Sequence, residues 1–336
     1  MSTVAPEIAR ENRALGLKLA LIVPVMLLFC ASLVPLYRVI CEQLGAAGLN
    51  GPQVRVVLEK PLGEDLASAQ EINRVVGASF REHQALRIDH YLGKPAVQNL
   101  MALRFANALF EPLWRRESIA NIQITLAESL GVGTRGDFYD RTGALRDMVQ
   151  NHALQLLTMV AMEPPSSNDA DAIRDEKLKV LRSLKPFTPE SVARDAQIVV
   201  NFRPAPHSIF PGVHQPNKLV IKLQPEDGLE LHLLAAKGAG TSDTLAPVFL
   251  DLDFDKAFAE NRVGAYERLL LDAIAGRLNL FVRSDEQEQA WRWVEPVLDA
   301  WAQDGTGPRP YAAGTWGPAA ASALVARDGF AWAEEQ

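Results

Sequence analysis

QIVVNF at Gln197–Phe202, KLVIKL at Lys218–Leu223, LELHLL at Leu229–Leu234 and PVFLDL at Pro247–Leu252 decide the fold. Each run is short, rich in branched and aromatic side chains, and separated from the next by Pro, Gly, Asn or Asp, the pattern of a strand between turns. Helical spacing surrounds them: Ala96–Asn107, Gly143–Met162 and Asp169–Leu184 before, Val263–Gly276 and Asp285–Trp301 after, with one further strand at Ile119–Glu128. Strands gathered together and flanked by helices predict an α+β fold built on an antiparallel sheet. Upstream, Val54–Leu58 reads as a buried strand, Asp65–Arg81 as a helix with Leu66, Ala69, Ile72, Val75, Val76 and Phe80 on one face, and Ala85–Ile88 as a second strand. That strand–helix–strand order predicts the tail of a parallel α/β unit.

The 336 residues, 48% hydrophobic and 22% charged, suffice for about two domains with a sizeable core. With 34 Lys+Arg against 41 Asp+Glu the net charge is −7, which argues against a nucleic-acid partner. Both cysteines, Cys30 and Cys41, lie in the first 41 residues, so the body has neither a disulfide framework nor a cysteine metal site, and no metal is expected.

The N-terminus reads differently from the body. Leu19–Leu36, LALIVPVMLLFCASLVPL, is uncharged over eighteen residues, long enough for a transmembrane helix at 19–36. A signal-like segment and a buried helix are the competing readings. Arg10, Arg13 and Lys18 precede the span and Arg38 alone follows closely, which by the positive-inside bias would export residues from about 40 onward. Val34-Pro35-Leu36-Tyr37-Arg38 with Cys41-Glu42 and Gly45 resembles the membrane anchor of cytochrome c oxidase copper-assembly proteins. The paired cysteines on which that family's copper chemistry depends do not occur here. GAAGLNG at 45–51 has the glycine spacing of a phosphate loop but not its preceding strand, and reads as a linker.

Two segments could carry chemistry. Asp89-His90-Tyr91, with Lys94 following, sits just past the strand Ala85–Ile88, at the strand end where open α/β sheets bind ligands. Imidazole, phenol and ammonium together suit a phosphate ester, and a solvated polar turn is the plainer alternative. His152, in RDMVQNH at Arg146–His152, lies within an otherwise apolar helix. It is either a hydrogen-bonded core residue or, with an aspartate such as Asp89 on its other nitrogen, an oriented general base. No G-x-S-x-G elbow, H-E-x-x-H helix or G-x-x-x-x-G-K-[ST] loop occurs, which excludes the chemistries those motifs perform.

EKPLG at 59–63, RIDHYLGK at 87–94, RDMVQNH at 146–152, IRDEKLKVL at 173–181, AYERLL at 265–270, FVRSDE at 281–286 and YAAGTWGP at 311–318 stand in the order found in glucose-6-phosphate dehydrogenases, and residues 52–334 resemble that family. The resemblance implies a Rossmann-like NADP-binding domain followed by a large α+β domain that forms a homodimer through its sheet. It implies hydride transfer from C1 of glucose 6-phosphate to NADP, giving 6-phosphogluconolactone, the entry step of the pentose phosphate pathway in the cytoplasm. It assigns His152 as the base and Asp89 as its orienting partner. His90, Tyr91 and Lys94 would bind the phosphate. Lys60, Glu128, Asp147 and Gln224 would contact the sugar, and Lys60 with Pro61 the cofactor side.

Two features depart from the family pattern. The opening G-x-x-G-D-L-A turn is absent from the sequence, and a long segment with an R-x-G-K-x-L turn is missing between Ser191–Arg194 and Gln197–Val200. The sequence therefore divides into an anchor and linker at 1–50, a remnant of the dinucleotide-binding domain at 52–92 and the family's α+β domain at 93–334. It reads as a fusion whose dehydrogenase activity is impaired, held to the membrane by residues 19–36. The alternative is a membrane-anchored assembly or interaction protein carrying a degenerate dehydrogenase domain.

Overall fold

In the computed structural model the described residues are 34–126, 139, 142–185, 197–205, 215–223, 227–236, 245–257, 263–304, 318–327 and 330–332. The chain forms two compact units that divide after Ala85.

The first unit contains helical residues 34–46, strand β1 (Val56–Leu58) and helix α1 (Leu66–Ser79). Asp65 starts α1 by accepting from the Ser68 amide at 2.7 Å, while Ser68 Oγ accepts from the Asp65 amide at 3.2 Å, so both orphan donors are met. Ala69, Ile72, Val75 and Val76 form the buried face as the periodicity predicts. Gly63, at φ +102°, lies so close to α1 that a Cβ would stand 2.7 Å from the Ala69 amide nitrogen. Cys41, Leu58, Ile72, Val76 and Phe80 make the core, with Val34, Tyr37 and Leu44 packed on it. Arg38 joins the 34–46 helix to α1 through Glu71 at 2.9 Å, and Arg74 holds the same carboxylate at 2.7 Å. The Arg74 hydrogen bond, aided by Arg38, pulls the Glu71 carboxyl down to about 2.

No helix among the described residues is long and apolar enough to cross a membrane. Most of the expected span, residues 19–33, lies outside the described residues. Val34 and Tyr37, expected at the end of an anchor, pack against the core of the first unit instead.

In the second unit, β3 (Ile119–Thr125), β4 (Gln197–Phe202), β5 (Lys218–Lys222), β6 (Gly228–Ala236) and β7 (Leu245–Asp253) form an antiparallel sheet in that order. The register sets Ile198 opposite Ile221 and Val200 opposite Leu219. Period-2 alternation puts all four on one face, which meets helices α2 (Pro95–Ala106) and α3 (Leu154–Ala161) through Val97, Leu100, Leu156 and Val160. The sheet is thus the expected one. β6 and β7 are longer than predicted because their pairing continues unbroken from Gly228–Asp253 to Ala236–Leu245. Pro247, which cannot donate to a ladder, sits in β7 at the sheet edge.

The long apolar helix expected at Gly143–Met162 is not uniform: Leu145–Ala153 is wound as a π-helix before α3 begins. Asn151 Oδ1 accepts from the His152 amide at 2.6 Å, and the wider turn carries the polar run from Arg146 to His152. Arg104 and Trp114 serve the far end of α3. Arg104 donates to the Met159 and Met162 carbonyls at 2.8 and 2.6 Å, and Trp114 Nε1 to the Val160 carbonyl at 2.7 Å. Burial pulls the Arg104 guanidinium down to about 10, against the opposing field of Glu163.

Helices α4 (Ala170–Ser183) and α7 (Ser284–Asp304) join through a buried ion pair, Lys177 Nζ to Glu286 Oε2 at 2.7 Å. Arg283 reaches Asp175 at 2.7 Å, and Arg174 donates to the Phe281 carbonyl at 3.2 Å. The motifs IRDEKLKVL and FVRSDE therefore hold each other. Strand β8 (Phe281–Val282) pairs with the second half of β2 (Ala85–Ile88), Ile88 opposite Phe281. After β2 the chain makes a 3₁₀ turn, His90–Gly93, on which helix α6 (Ala265–Ala275) rests; the four-residue helix Phe254–Ala257 is α5. A Cβ on Gly93 would stand 2.5 Å from the Ala265 carbonyl oxygen. Gly93→Ala should therefore destabilise the protein by about 1–3 kcal/mol, the scale of forced overpacking. Denaturant unfolding checks this, and an unchanged midpoint would contradict it.

Candidate active site

The site is built at the end of β2, where the backbone leaves the strand and Asp89 caps the 3₁₀ turn by accepting from the Tyr91 amide at 3.0 Å. The same oxygen, Asp89 Oδ1, lies 2.6 Å from His152 Nδ1, sixty-three residues later. Both side chains are buried, at 3% and 1% exposure. A carboxylate can only accept, so Nδ1 carries the proton and Nε2 is the basic nitrogen of the ring. The carboxylate also stabilises the imidazolium formed when Nε2 takes up a proton.

Around this couple lies an aromatic stack. Tyr91 lies against the His152 ring, centroids 4.3 Å apart and planes 28° from parallel. His90 meets His152 edge-on at 4.5 Å and lies 4.9 Å from Tyr91, so the three rings form a triangle. Tyr266, in α6, stacks on His90 at 5.5 Å with an interplanar angle of 11°. The imidazole of His152 is thus fixed in position and tilt by packing as well as by Asp89.

Lys94 supplies the charge. Its Nζ lies 4.9 Å from the centroid of the Tyr91 ring and donates to the Leu223 carbonyl at 2.9 Å, which ties the turn to the end of β5. Burial pushes its pKa down, against the field of Asp227, which pulls it up. A half-buried ammonium beside an imidazole and a phenol is a donor set chemically suited to an anion.

The structure brings together five of the predicted residues: Asp89, His90, Tyr91, Lys94 and His152. Asp147 is half-buried one turn ahead of His152 on the π-helix. Lys60 and Pro61 lie in the first unit, joined by a cis peptide just after β1. Glu128 and Gln224 lie outside the described residues. Gln224 follows Leu223, whose carbonyl holds Lys94. Sequence reasoning missed Tyr266 and Asp227. AYERLL marked the helix, but nothing local shows a tyrosine stacking on a histidine far upstream. Asp227 reads as an ordinary loop acid.

The first unit offers little to a dinucleotide among the described residues. The N-terminus of α1, the helix that follows β1, is closed by the Asp65 carboxylate, which would repel a pyrophosphate. These residues do not make a pyrophosphate seat.

Two family models match the chain. One, described as "Glucose-6-phosphate dehydrogenase, C-terminal domain", matches residues 101–197 and 192–333. The break between its two stretches falls where the sequence lacks the family's internal segment. The other, "Glucose-6-phosphate dehydrogenase, NAD binding domain", matches residues 20–99. The resemblance thus extends well into the first fifty residues, which had read as a foreign anchor; this removes the ground for a fusion. The chain is similar to the glucose-6-phosphate 1-dehydrogenase of Mycolicibacterium smegmatis, 44% identical over 362 aligned positions, covering 88% of this chain and 73% of the relative. The Rhizobium meliloti enzyme of the same name is 43% identical over 87% of this chain and 73% of the relative. Among solved structures, the glucose-6-phosphate 1-dehydrogenase of Mycobacterium avium superposes with TM-score 0.76 at 34% identity, over 90% of this chain and 75% of that one. A glucose-6-phosphate dehydrogenase in complex with glucose 6-phosphate superposes with TM-score 0.81 at 29% identity, over 89% of this chain and 74% of that one. With the C-terminal-domain model matching most of the chain and relatives above 40% identity covered over nearly three quarters of their length, this chain belongs to the glucose-6-phosphate dehydrogenase family.

Proposed function

We propose that this chain acts on glucose 6-phosphate in the cytoplasm as a glucose-6-phosphate 1-dehydrogenase. The observation that carries the reading is the 2.6 Å Asp89–His152 contact, buried beside the cluster of His90, Tyr91 and Lys94. Lys94, His90 and Tyr91 hold the phosphate. Anchoring the sugar at the end remote from C1 turns an encounter into a fixed geometry, which is where most of the rate advantage of positioning arises. His152 Nε2 accepts the C1 hydroxyl proton as the C1 hydride departs, leaving a C1 carbonyl, the lactone. Asp89 holds the imidazolium. Asp147 contacts sugar hydroxyls from the same helix, and Lys60, Glu128 and Gln224 complete the sugar contacts, with Lys60 and Pro61 facing the cofactor. NADP serves as hydride acceptor in this reaction.

We also propose that two copies associate through the sheet. β7 is an edge strand, and it exposes Val248, Phe249, Leu250 and Leu252, with Phe249 and Leu250 at 60% and 62%. Such an edge is covered in most stable proteins.

Calorimetry tests the site. Glucose 6-phosphate should bind, and Lys94→Ala should weaken it by about 1.5–3 kcal/mol, roughly 10–150-fold. Lys94→Gln can keep the Leu223 contact while losing the charge, and should weaken binding comparably. Unchanged affinity in both would count against the cluster. Because burial lowers the Lys94 pKa, its charge is lost on the alkaline side earlier than for an ordinary lysine. Affinity should therefore fall as pH rises there, and the Lys94→Gln profile should be flat. Sedimentation should show a dimer that Phe249→Asp converts to monomer; a monomeric wild type would contradict the sheet contact.

A further inference from the structure

The dyad and its neighbour can bind something besides substrate. Asp89, His90 and His152 each present a ligand atom, and these three atoms lie within 4.8 Å of one another. Two imidazoles and a carboxylate are the donor set that divalent transition metals of the zinc type take from proteins, leaving positions open for water. In a tetrahedral shell, zinc bonds of 2.0–2.2 Å set donors roughly 3.3–3.6 Å apart, so the widest pair has up to about 1.5 Å to close and the Asp89–His152 pair opens from 2.6 Å. His90 can close it. It is half-buried and sits at the start of a 3₁₀ turn, whereas Asp89 and His152 are held in the interior.

From this geometry we infer that Asp89, His90 and His152 form a site for one divalent transition-metal ion of the zinc class, whose occupancy blocks the sugar phosphate site. The ion takes the lone pairs that otherwise hold the Asp89–His152 proton, and it withdraws His90 from the phosphate. His152 bound to the ion is no longer placed to take a hydroxyl proton. The blocking effect rests on the function proposed above; the binding of the ion does not.

The full chain, freed of metal, is titrated with Zn²⁺ by calorimetry and with Co²⁺ by visible absorption. One ion per chain is expected, with Co²⁺ giving the bands of a low-coordinate nitrogen–oxygen site. His90→Gln, a half-buried change that leaves the core intact, should weaken both ions at least tenfold, as should Asp89→Asn if it folds by circular dichroism. His232→Gln, which removes the imidazole paired with Glu230 at 3.0 Å on the sheet, should change nothing. No saturable uptake of one ion, or uptake as tight in His90→Gln as in the wild type, overturns the site. Glucose 6-phosphate titrations with and without Zn²⁺ separate the two claims. Sugar phosphate binding that depends on Lys94, without metal uptake, sinks the metal site and leaves the enzyme reading standing. His90-dependent metal uptake without sugar phosphate binding keeps the metal site and sinks the enzyme reading.

Discussion

A single hydrogen bond, Asp89 Oδ1 to His152 Nδ1, joins the end of a strand to the middle of a helix and fixes what the rest of the site can do. Both partners are buried, so neither can trade the other for water; losing either leaves a polar group stranded at a cost of about 1–3 kcal/mol or more. The same carboxylate oxygen caps the His90–Gly93 turn, so the group that orients His152 also shapes that turn. On the proposed function, proton acceptor and anion receptor are thereby set at a constant separation by one side chain. That constancy matters because the phosphate and C1 lie at opposite ends of the sugar.

The surrounding fold serves this arrangement. Gly93 permits the start of α6 to touch the turn, and the adjacent Tyr266 then stacks on His90. The π-wound segment turns His152 toward Asp89, while Arg104 and Trp114 secure the carbonyls at the other end of the helix. Leu223, just past β5, gives its backbone carbonyl to Lys94, so the sheet and the end of the His90–Gly93 turn are mechanically linked. The Lys177–Glu286 pair and the Arg283 network, drawn from two of the strongest family motifs, hold helices together and touch no reacting group. Motif strength here reports structure as often as chemistry.

Local pattern was enough for most elements. Ala85–Ile88 is the strand expected, and α1 buries the face its spacing marks. The sheet follows from four short runs because alternation in Ile198 and Val200 matches Leu219 and Ile221 across the ladder. The π-helix was not legible, since apolar spacing does not distinguish a π turn from an α turn. Nor were Tyr266 and Asp227, whose roles exist only once distant segments meet. The apolar N-terminus is less legible for a related reason. Length and hydropathy describe a bilayer span and a buried helix equally, and Val34 and Tyr37 prove to pack on a protein core. That Asp89 and His152 would pair could be stated from the sequence as a condition, but contact between segments so far apart needed coordinates.

The pairing can be seen directly by proton NMR. A ring N–H donated to a buried carboxylate at 2.6 Å should give a slowly exchanging, far-downfield resonance assigned to His152 Nδ1–H. That resonance is expected to vanish in His152→Gln and to move upfield in Asp89→Asn while the fold persists. A wild-type spectrum without it, or one unchanged by Asp89→Asn, would show that the two side chains do not share a proton.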